Sequence, residues 1–197
     1  MSFYVHAVIF AGGKSSRMGE DKALLPFGGE ASLAQYQFKK LSELFQYVSL
    51  CVKDNKFDFD CPLILDKYLE SSPLVGILSV FETLKEIDEV FILSVDSPFV
   101  DESIIDALMK ERHEAKRRNE DYDAIVAEGP NGIEPLCGLY KRSILALVKK
   151  HYEEGNHKLK DLLSVACPKT VYFSDTTAFT NLNHPQEYAK ALKHTLS

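Results

Sequence analysis

Close to the start of the chain, "FAGGKSSRMGEDK", Phe10 to Lys22, sets Gly12 and Gly13 beside Lys14, Arg17 and Lys22, directly after the apolar stretch Val5 to Phe10. A glycine-rich turn leaving a buried strand lets backbone N–H groups converge on an anion, because glycine has no Cβ to block the approach. Phosphate is the natural guest. Two common phosphate signatures do not account for the run. G-x-x-x-x-G-K-[ST] ends correctly at Gly13-Lys14-Ser15, but its first glycine would fall at Val8. G-x-G-x-x-G fails because Gly12 and Gly13 are adjacent and the next glycine is Gly19. A basic surface turn is the bland alternative; the place of the run, after the first buried strand of an α/β pattern, favours a ligand.

Two carboxylates end later apolar runs. Asp96 in "FILSVDSPF" follows a stretch apolar enough to be buried, and Pro98 breaks the strand just beyond it. Alone it would read as an Asx turn. With a phosphate loop on an earlier strand it reads as a Mg²⁺ ligand, since Mg²⁺ in nucleotide sites is held by one or two carboxylates plus substrate phosphates. Asp66 ends "LILD", ahead of a helix opening at "SSPLVGILS". A turn residue and a partner for a sugar or base both remain open for it, with Gly76 small enough to let a flat ligand approach the helix start. Asp101 in "DESIIDAL" reads as a helix N-cap.

The elements that must position these groups alternate along the chain. Short apolar, β-branched runs begin at Val5, Tyr47, Leu63, Val90, Ala124 and Thr170 and predict strands. Between them lie helical spacings: Leu33, Tyr36, Phe38, Leu41, Leu44 and Phe45; then Leu78, Phe81 and Leu84; then Ile104, Ile105, Leu108 and Met109. Two further helices are read at "KRSILALVKKHYEEG" and "HPQEYAKALKHTL". This alternation predicts an α/β fold, a mostly parallel sheet with helices on both faces, whose ligands sit beyond the carboxyl ends of the strands. The mixed-charge run Lys110 to Asp123 reads as a solvated helix end and loop with no chemistry. No linker or repeat divides the chain, so residues 1–197 are expected to form one domain.

A net charge of −6 argues against a broad nucleic-acid surface, while the locally positive first loop suits a small anionic ligand. No apolar run approaches the roughly 20 residues that span a bilayer, so no membrane role is expected. Cys51, Cys61, Cys137 and Cys167 show no C-x-x-C spacing and no leader-like run precedes them, so reduced thiols in a cytoplasmic protein are expected.

The residues also carry a resemblance. "FAGGKSSRMGEDK" resembles the signature L-A-G-G-x-x-x-R-M-G-x-D-K of the molybdenum cofactor guanylyltransferases, within the wider nucleotidyltransferase family. "SSPLVGILS" is similar to that family's G-P-L-A-G-I stretch, "SVDSPFV" to its C-D-x-P-F/Y segment, and "FTNLNHPQEY" to its F-x-N-x-N-T-P-E/D element, all in family order. The resemblance implies a three-layer, Rossmann-like nucleotidyltransferase fold. It also implies transfer of GMP from GTP to molybdopterin cofactor, with release of pyrophosphate and with Mg²⁺ as cofactor, the product passing to a molybdoenzyme. It places Phe10, Ala11, Gly12, Gly13, Lys14, Lys22, Asp66 and Asp96 around the nucleotide, Arg17, Lys22 and Asp96 in catalysis, Asp96 on the metal, and Asn181 and Asn183 at the acceptor. Lys158 and Lys160 in "GNHKLKDLL" would face the acceptor's phosphate. Two positions depart from the pattern: Cys51, Val52 or Lys53 stands where an asparagine is common, and His184 where threonine is usual. The rival readings are a CTP-dependent molybdopterin cytidylyltransferase, a sugar-phosphate nucleotidyltransferase, and a nucleotide-binding module without turnover.

Overall fold

A computed structural model describes residues 3–13 and 20–195. Its centre is a seven-stranded sheet in the order β3-β2-β1-β4-β6-β5-β7. The strands are β1 (Phe3–Phe10), β2 (Phe45–Val52), β3 (Leu63–Leu65), β4 (Glu89–Ser94), β5 (Ala124–Gly129), β6 (Gly132–Lys141) and β7 (Pro168–Tyr172). All neighbours pair in parallel except those of β6, which runs antiparallel to both β4 and β5.

Among the described residues six helices flank the sheet: α1 (Leu33–Leu44), α2 (Pro73–Thr83), α3 (Glu102–Arg117), α4 (Leu145–Glu153), α5 (Leu159–Val165) and α6 (Pro185–Thr195). Alternate side chains of a strand point to opposite faces, so β1 sends Ala7 and Ile9 into one core and Val8 and Phe10 into the other. The first core is closed by α1, α3 and α6 through residues such as Leu33, Leu41, Ile105, Leu108 and Ala191. The second is closed by α2, α4 and α5 through Leu74, Ile77, Val148 and Leu162. The expected mostly parallel sheet, covered on both faces, is what forms.

Three local readings change. Strand β6 was not anticipated, because Pro135 and Gly138 interrupt "GIEPLCGLYK" with residues that normally punctuate strands. Phe45 opens β2 instead of closing α1, its ring stacked on Phe91 of β4 at 5.1 Å between centroids. The charged run Lys110 to Asp123 is not wholly solvated: Arg112 and Lys116 reach the buried Glu89 carboxylate at 2.5 and 3.3 Å, and the Tyr122 hydroxyl donates to it at 2.6 Å. Burial alone would raise the Glu89 pKa, but the bonds from Tyr122 and Arg112 and the two positive charges hold it below the usual range. The signal missed was Glu89 itself, an acid opening a buried strand that needs partners.

The starts of α1, α2 and α3 are capped as their residue types demand. Asp101 accepts from the Ile104 N–H at 3.1 Å, as read from its sequence, and Ser32 and Ser72 cap α1 and α2 in the same way. Among the described residues no helix is long and apolar enough to cross a membrane.

Candidate active site

The carboxyl ends of β1 to β4 meet at one rim because their ladders continue past the strands. The Ala11 N–H donates to Cys51 O at 3.0 Å, Asp66 N–H to Val52 O at 2.8 Å, and Val95 N–H to Phe10 O at 3.0 Å. A cavity of about 270 Å³ opens there, lined by Ala11, Gly12, Gly13, Lys22, Asp66 and Asp96 among others. Lys14 and Arg17 lie outside the described residues. Phe10 also lines the cavity, with its carbonyl committed to the sheet and its ring against α2. A Cβ on Gly76 would lie 2.6 Å from that ring, so the small residue admits Phe10 rather than only a flat ligand. Asp66 keeps both its readings: Oδ1 accepts from Tyr68 N–H at 3.0 Å and from the Ser79 hydroxyl at 3.2 Å, while the residue lines the cavity.

Lys22 stands at the centre of the site. Its Nζ is 2.5 Å from Asp96 Oδ2 and 3.0 Å from Asn183 Oδ1. The Ser94 hydroxyl donates to the other carboxylate oxygen at 2.6 Å, so both oxygens of Asp96 are engaged by side chains. The Lys22 and Asp96 side chains are each 16% exposed, buried enough for the pair to resist salt screening yet open to a ligand. Lys22 is placed by a single 3₁₀ turn, Lys22–Leu24, capped by Asp21. Lys56 ties that cap to the first loop, with Nζ at 2.5 Å from Asp21 Oδ2 and 2.9 Å from Ala11 O.

The turn that carries Asp96 is held from behind by α1. Gln37, fully buried, spreads its amide nitrogen over Ser94 O, Val95 O and Ser97 O at 3.1–3.3 Å. Its amide oxygen is buried with no hydrogen-bond partner among the described residues, an unfavourable arrangement retained because three carbonyls need the donor. Lys40 adds bonds to Pro98 O at 2.9 Å and Val100 O at 2.8 Å.

On the far side of Asp96 lies a second cavity of about 390 Å³, which shares Pro73, Ser94, Asp96 and Leu136 with the first. Asn181, Asn183, Lys158 and Lys160 line it together with Glu134. The segment after β7 is stitched to the Asp96 turn: Leu182 N–H donates to Asp96 O at 2.9 Å, and the Ser97 hydroxyl to Asn181 Oδ1 at 2.6 Å. Glu187 closes the segment by accepting from the N–H groups of Asn183 and His184 at 2.7 and 2.8 Å.

A cleft of this form, two cavities joined at a strand-end carboxylate, suits a reaction between two bound partners. The chain matches the MobA-like NTP transferase domain over residues 7–171. It belongs to that family. A molybdenum cofactor guanylyltransferase of Campylobacter jejuni is 36% identical over 188 residues, covering 94% of each chain. One of Helicobacter pylori is 29% identical over 195 residues, covering 96% of this chain and 92% of that one. Among solved structures, molybdopterin-guanine dinucleotide biosynthesis protein A of Archaeoglobus fulgidus superposes with a TM-score of 0.80 at 20% identity, over 96% of this chain and 98% of that one. A CMP:2-keto-3-deoxy-manno-octonic acid synthetase bound to CTP superposes with a TM-score of 0.76 at 14% identity, covering 98% of this chain and 99% of that one. At these identities the structural matches speak to the fold.

For a MobA-like transferase the donor set limits how a cation can be held. Among the described residues no three His, Cys, Asp or Glu side chains converge on a metal site. A cation at this rim would have the Asp96 carboxylate from the protein and take its other ligands from phosphate and water, a donor set that fits Mg²⁺. Cys51, Val52 and Lys53, at the departure from the family's asparagine, all line the first cavity. Burial, and then the Asp66 charge, push the Cys51 thiol up to about 12, so it stays a neutral thiol; Lys53 turns its Nζ to Tyr68 O and Leu69 O. Sequence reasoning missed Gln37, Lys40, Lys56 and Glu134. The first two sat unremarked between the apolar positions of a helix, and Glu134 in a strand not recognised as one.

Proposed function

We propose that this protein transfers GMP from GTP to molybdopterin cofactor, forming the guanine dinucleotide cofactor and releasing pyrophosphate. The observation that carries the reading is the Lys22–Asp96–Asn183 junction, where one partly buried cation touches groups of both cavities. The reading is supported by relatives at 36% identity named for that activity. A terminal phosphate oxygen of the acceptor forms a bond to the α-phosphorus of GTP, the bond from that phosphorus to the bridging oxygen breaks, and pyrophosphate leaves with the electron pair. Two anions must approach, so positioning and charge neutralisation are the catalytic problem.

The backbone of Gly12 and Gly13 cradles the nucleotide phosphates, Phe10 and Ala11 wall the same cavity with their carbonyls held by Val95 and Lys56, and Asp66 faces the sugar or base. Lys22, Lys14 and Arg17 neutralise charge as it develops on the leaving pyrophosphate. Asp96 would hold Mg²⁺, which when bound would lower the repulsion between the phosphates. Asn181, Asn183, Lys158 and Lys160 receive the acceptor. These roles fall within one domain, residues 1–197, working in the cytoplasm and handing its product to a molybdoenzyme.

The test is to incubate the purified protein with each of the four NTPs, Mg²⁺ and molybdopterin cofactor, and to resolve the products by mass. Guanine dinucleotide with stoichiometric pyrophosphate is expected. A product from CTP and none from GTP would overturn the guanylyl assignment and keep the transferase; GTP binding with no product from any nucleotide would leave only the binding module.

A further inference from the structure

Strand β6 pairs evenly with β4, from Glu89↔Lys141 to Leu93↔Cys137, yet against β5 its register jumps from Val126↔Gly138 to Ala127↔Glu134. Pro135, Leu136 and Cys137 are thereby looped out of the β5 pairing. Bulges of this kind re-aim side chains beside active sites. This one is built by specific residues. A Cβ on Gly138 would lie 2.4 Å from Ile125 O and 2.8 Å from Val126 Cα, so only glycine lets β6 close on β5 immediately after the loop. Tyr140, fully buried, donates its hydroxyl to Pro135 O at 2.6 Å, and Pro135 brings no N–H that would need a partner. The loop delivers Leu136 to the junction of the two cavities and Glu134 to the second one.

Glu134 is half-buried, and among the described residues its carboxyl makes no hydrogen bond or ion pair. Burial raises its pKa, with the Lys160 charge opposing. An unpartnered carboxyl in such a place lacks donors that a ligand can supply. The acceptor's phosphate cannot be that ligand group, because it is an anion and has Lys158 and Lys160 in the same cavity. The neutral end of the acceptor can. A 2-amino-4-oxopyrimidine edge offers two parallel N–H donors, from the exocyclic amine and the ring nitrogen, which match the two oxygens of a carboxylate.

Resting on the function proposed above, we infer that Glu134 is the residue that reads the acceptor, accepting a pair of hydrogen bonds from the aminopyrimidinone edge of its pterin. Guanine carries the same edge, so the nucleotide base is the other source of this chemistry. Glu134 lines the second cavity and is not among the groups around the first, which assigns it to the acceptor.

The chain has no tryptophan, so a bound pterin's fluorescence can be read without that interference. Wild type, Glu134→Gln and Glu134→Asp are titrated with 6-hydroxymethylpterin phosphate, and their KM values for molybdopterin cofactor, GTP and ITP, which lacks the 2-amino group, are measured beside their thermal midpoints. Glu134→Gln should bind the pterin phosphate about tenfold to a hundredfold more weakly, since one oxygen is replaced by a donor and the charge is lost. The acceptor KM should rise in parallel, the GTP KM and thermal midpoint should stay unchanged, and Glu134→Asp should recover part of the loss. Equal pterin binding by wild type and Glu134→Gln overturns the inference whether or not the protein turns over. A wild-type preference for GTP over ITP that collapses in Glu134→Gln also overturns it, because the carboxylate would then read the nucleotide. Pterin binding that depends on Glu134, in a protein forming no dinucleotide, would uphold the inference and defeat the proposed reaction.

Discussion

The two sides of the cleft are made differently. The side proposed for the nucleotide is the common edge of four parallel strands, and the hydrogen bonds that align it are backbone bonds continued one residue past β1, β3 and β4. The side proposed for the acceptor is assembled from the antiparallel strand β6, the start of α5 and the segment after β7, and much of what holds it is side-chain bonds from Ser97 and Lys22. A rim built by the ladder survives the loss of any one side chain. A wall stitched by single side chains moves when a stitch is cut, so Lys22, Gln37 and Lys40 test the contrast at three depths.

Lys22→Ala should have the largest effect, since it removes the cation from both sides at once. Turnover should fall on the order of a hundredfold or more, the range seen when one preorganised charge-stabilising group is lost. Because Asn183 also loses its partner, the acceptor KM should rise as well, in steady-state kinetics with each substrate varied. A loss confined to one substrate would mean that the two sides are independent.

Gln37→Leu keeps the volume and removes the donor that gathers the carbonyls of Ser94, Val95 and Ser97. Stability should fall by about 1–3 kcal/mol, the cost of buried acceptors left unpaired, as read by urea denaturation. Turnover should fall about tenfold through a displaced Asp96, an estimate on the scale of a small misplacement of a catalytic group. An unchanged acceptor KM beside that loss would sharpen the contrast, by confining Gln37 to the turn itself.

The smallest effect expected is one of pH on stability alone. Burial lowers the Lys40 pKa from 10.5 to about 8, with the Cys137 thiol and Asp101 acting in the other direction. Between those values the unfolded chain binds more protons than the fold, so stability rises with pH. The penalty for the buried ammonium is full below about 8 and is relieved as pH climbs toward 10.5. Measured against Lys40→Met, the wild-type thermal midpoint should therefore gain ground from pH 8 to pH 10. A flat difference would show that the ammonium is solvated in the fold and does not hold the loop as a buried group.

Much of this protein could be read from local pattern. Short apolar, β-branched runs located β1 to β5 and β7, helical spacing located α1 to α4 and α6, and Asp101 declared its cap, because burial on a face and the capping of an N–H are decided within a few residues. The basic glycine loop and the two strand-end carboxylates were visible for the same reason: a parallel sheet sends all such ends to one rim. Strand β6 was not legible, since its Pro135 and Gly138 make sense only once a bulge must close against β5. Gln37, Lys40 and Lys56 carried no signal, because each bonds to backbone carbonyls remote in sequence, and a carbonyl that needs a donor leaves no mark in the residue type. The resemblance pointed to Asn181 and Asn183, but their contacts with Ser97 and Lys22 span 84 and 161 residues of chain. Residue types and their spacing therefore determined the parallel strands and the rim proposed for the nucleotide, where neighbours in sequence carry the energetics. Only tertiary docking decided the wall proposed for the acceptor, because its register and its side-chain stitches depend on which distant segments meet.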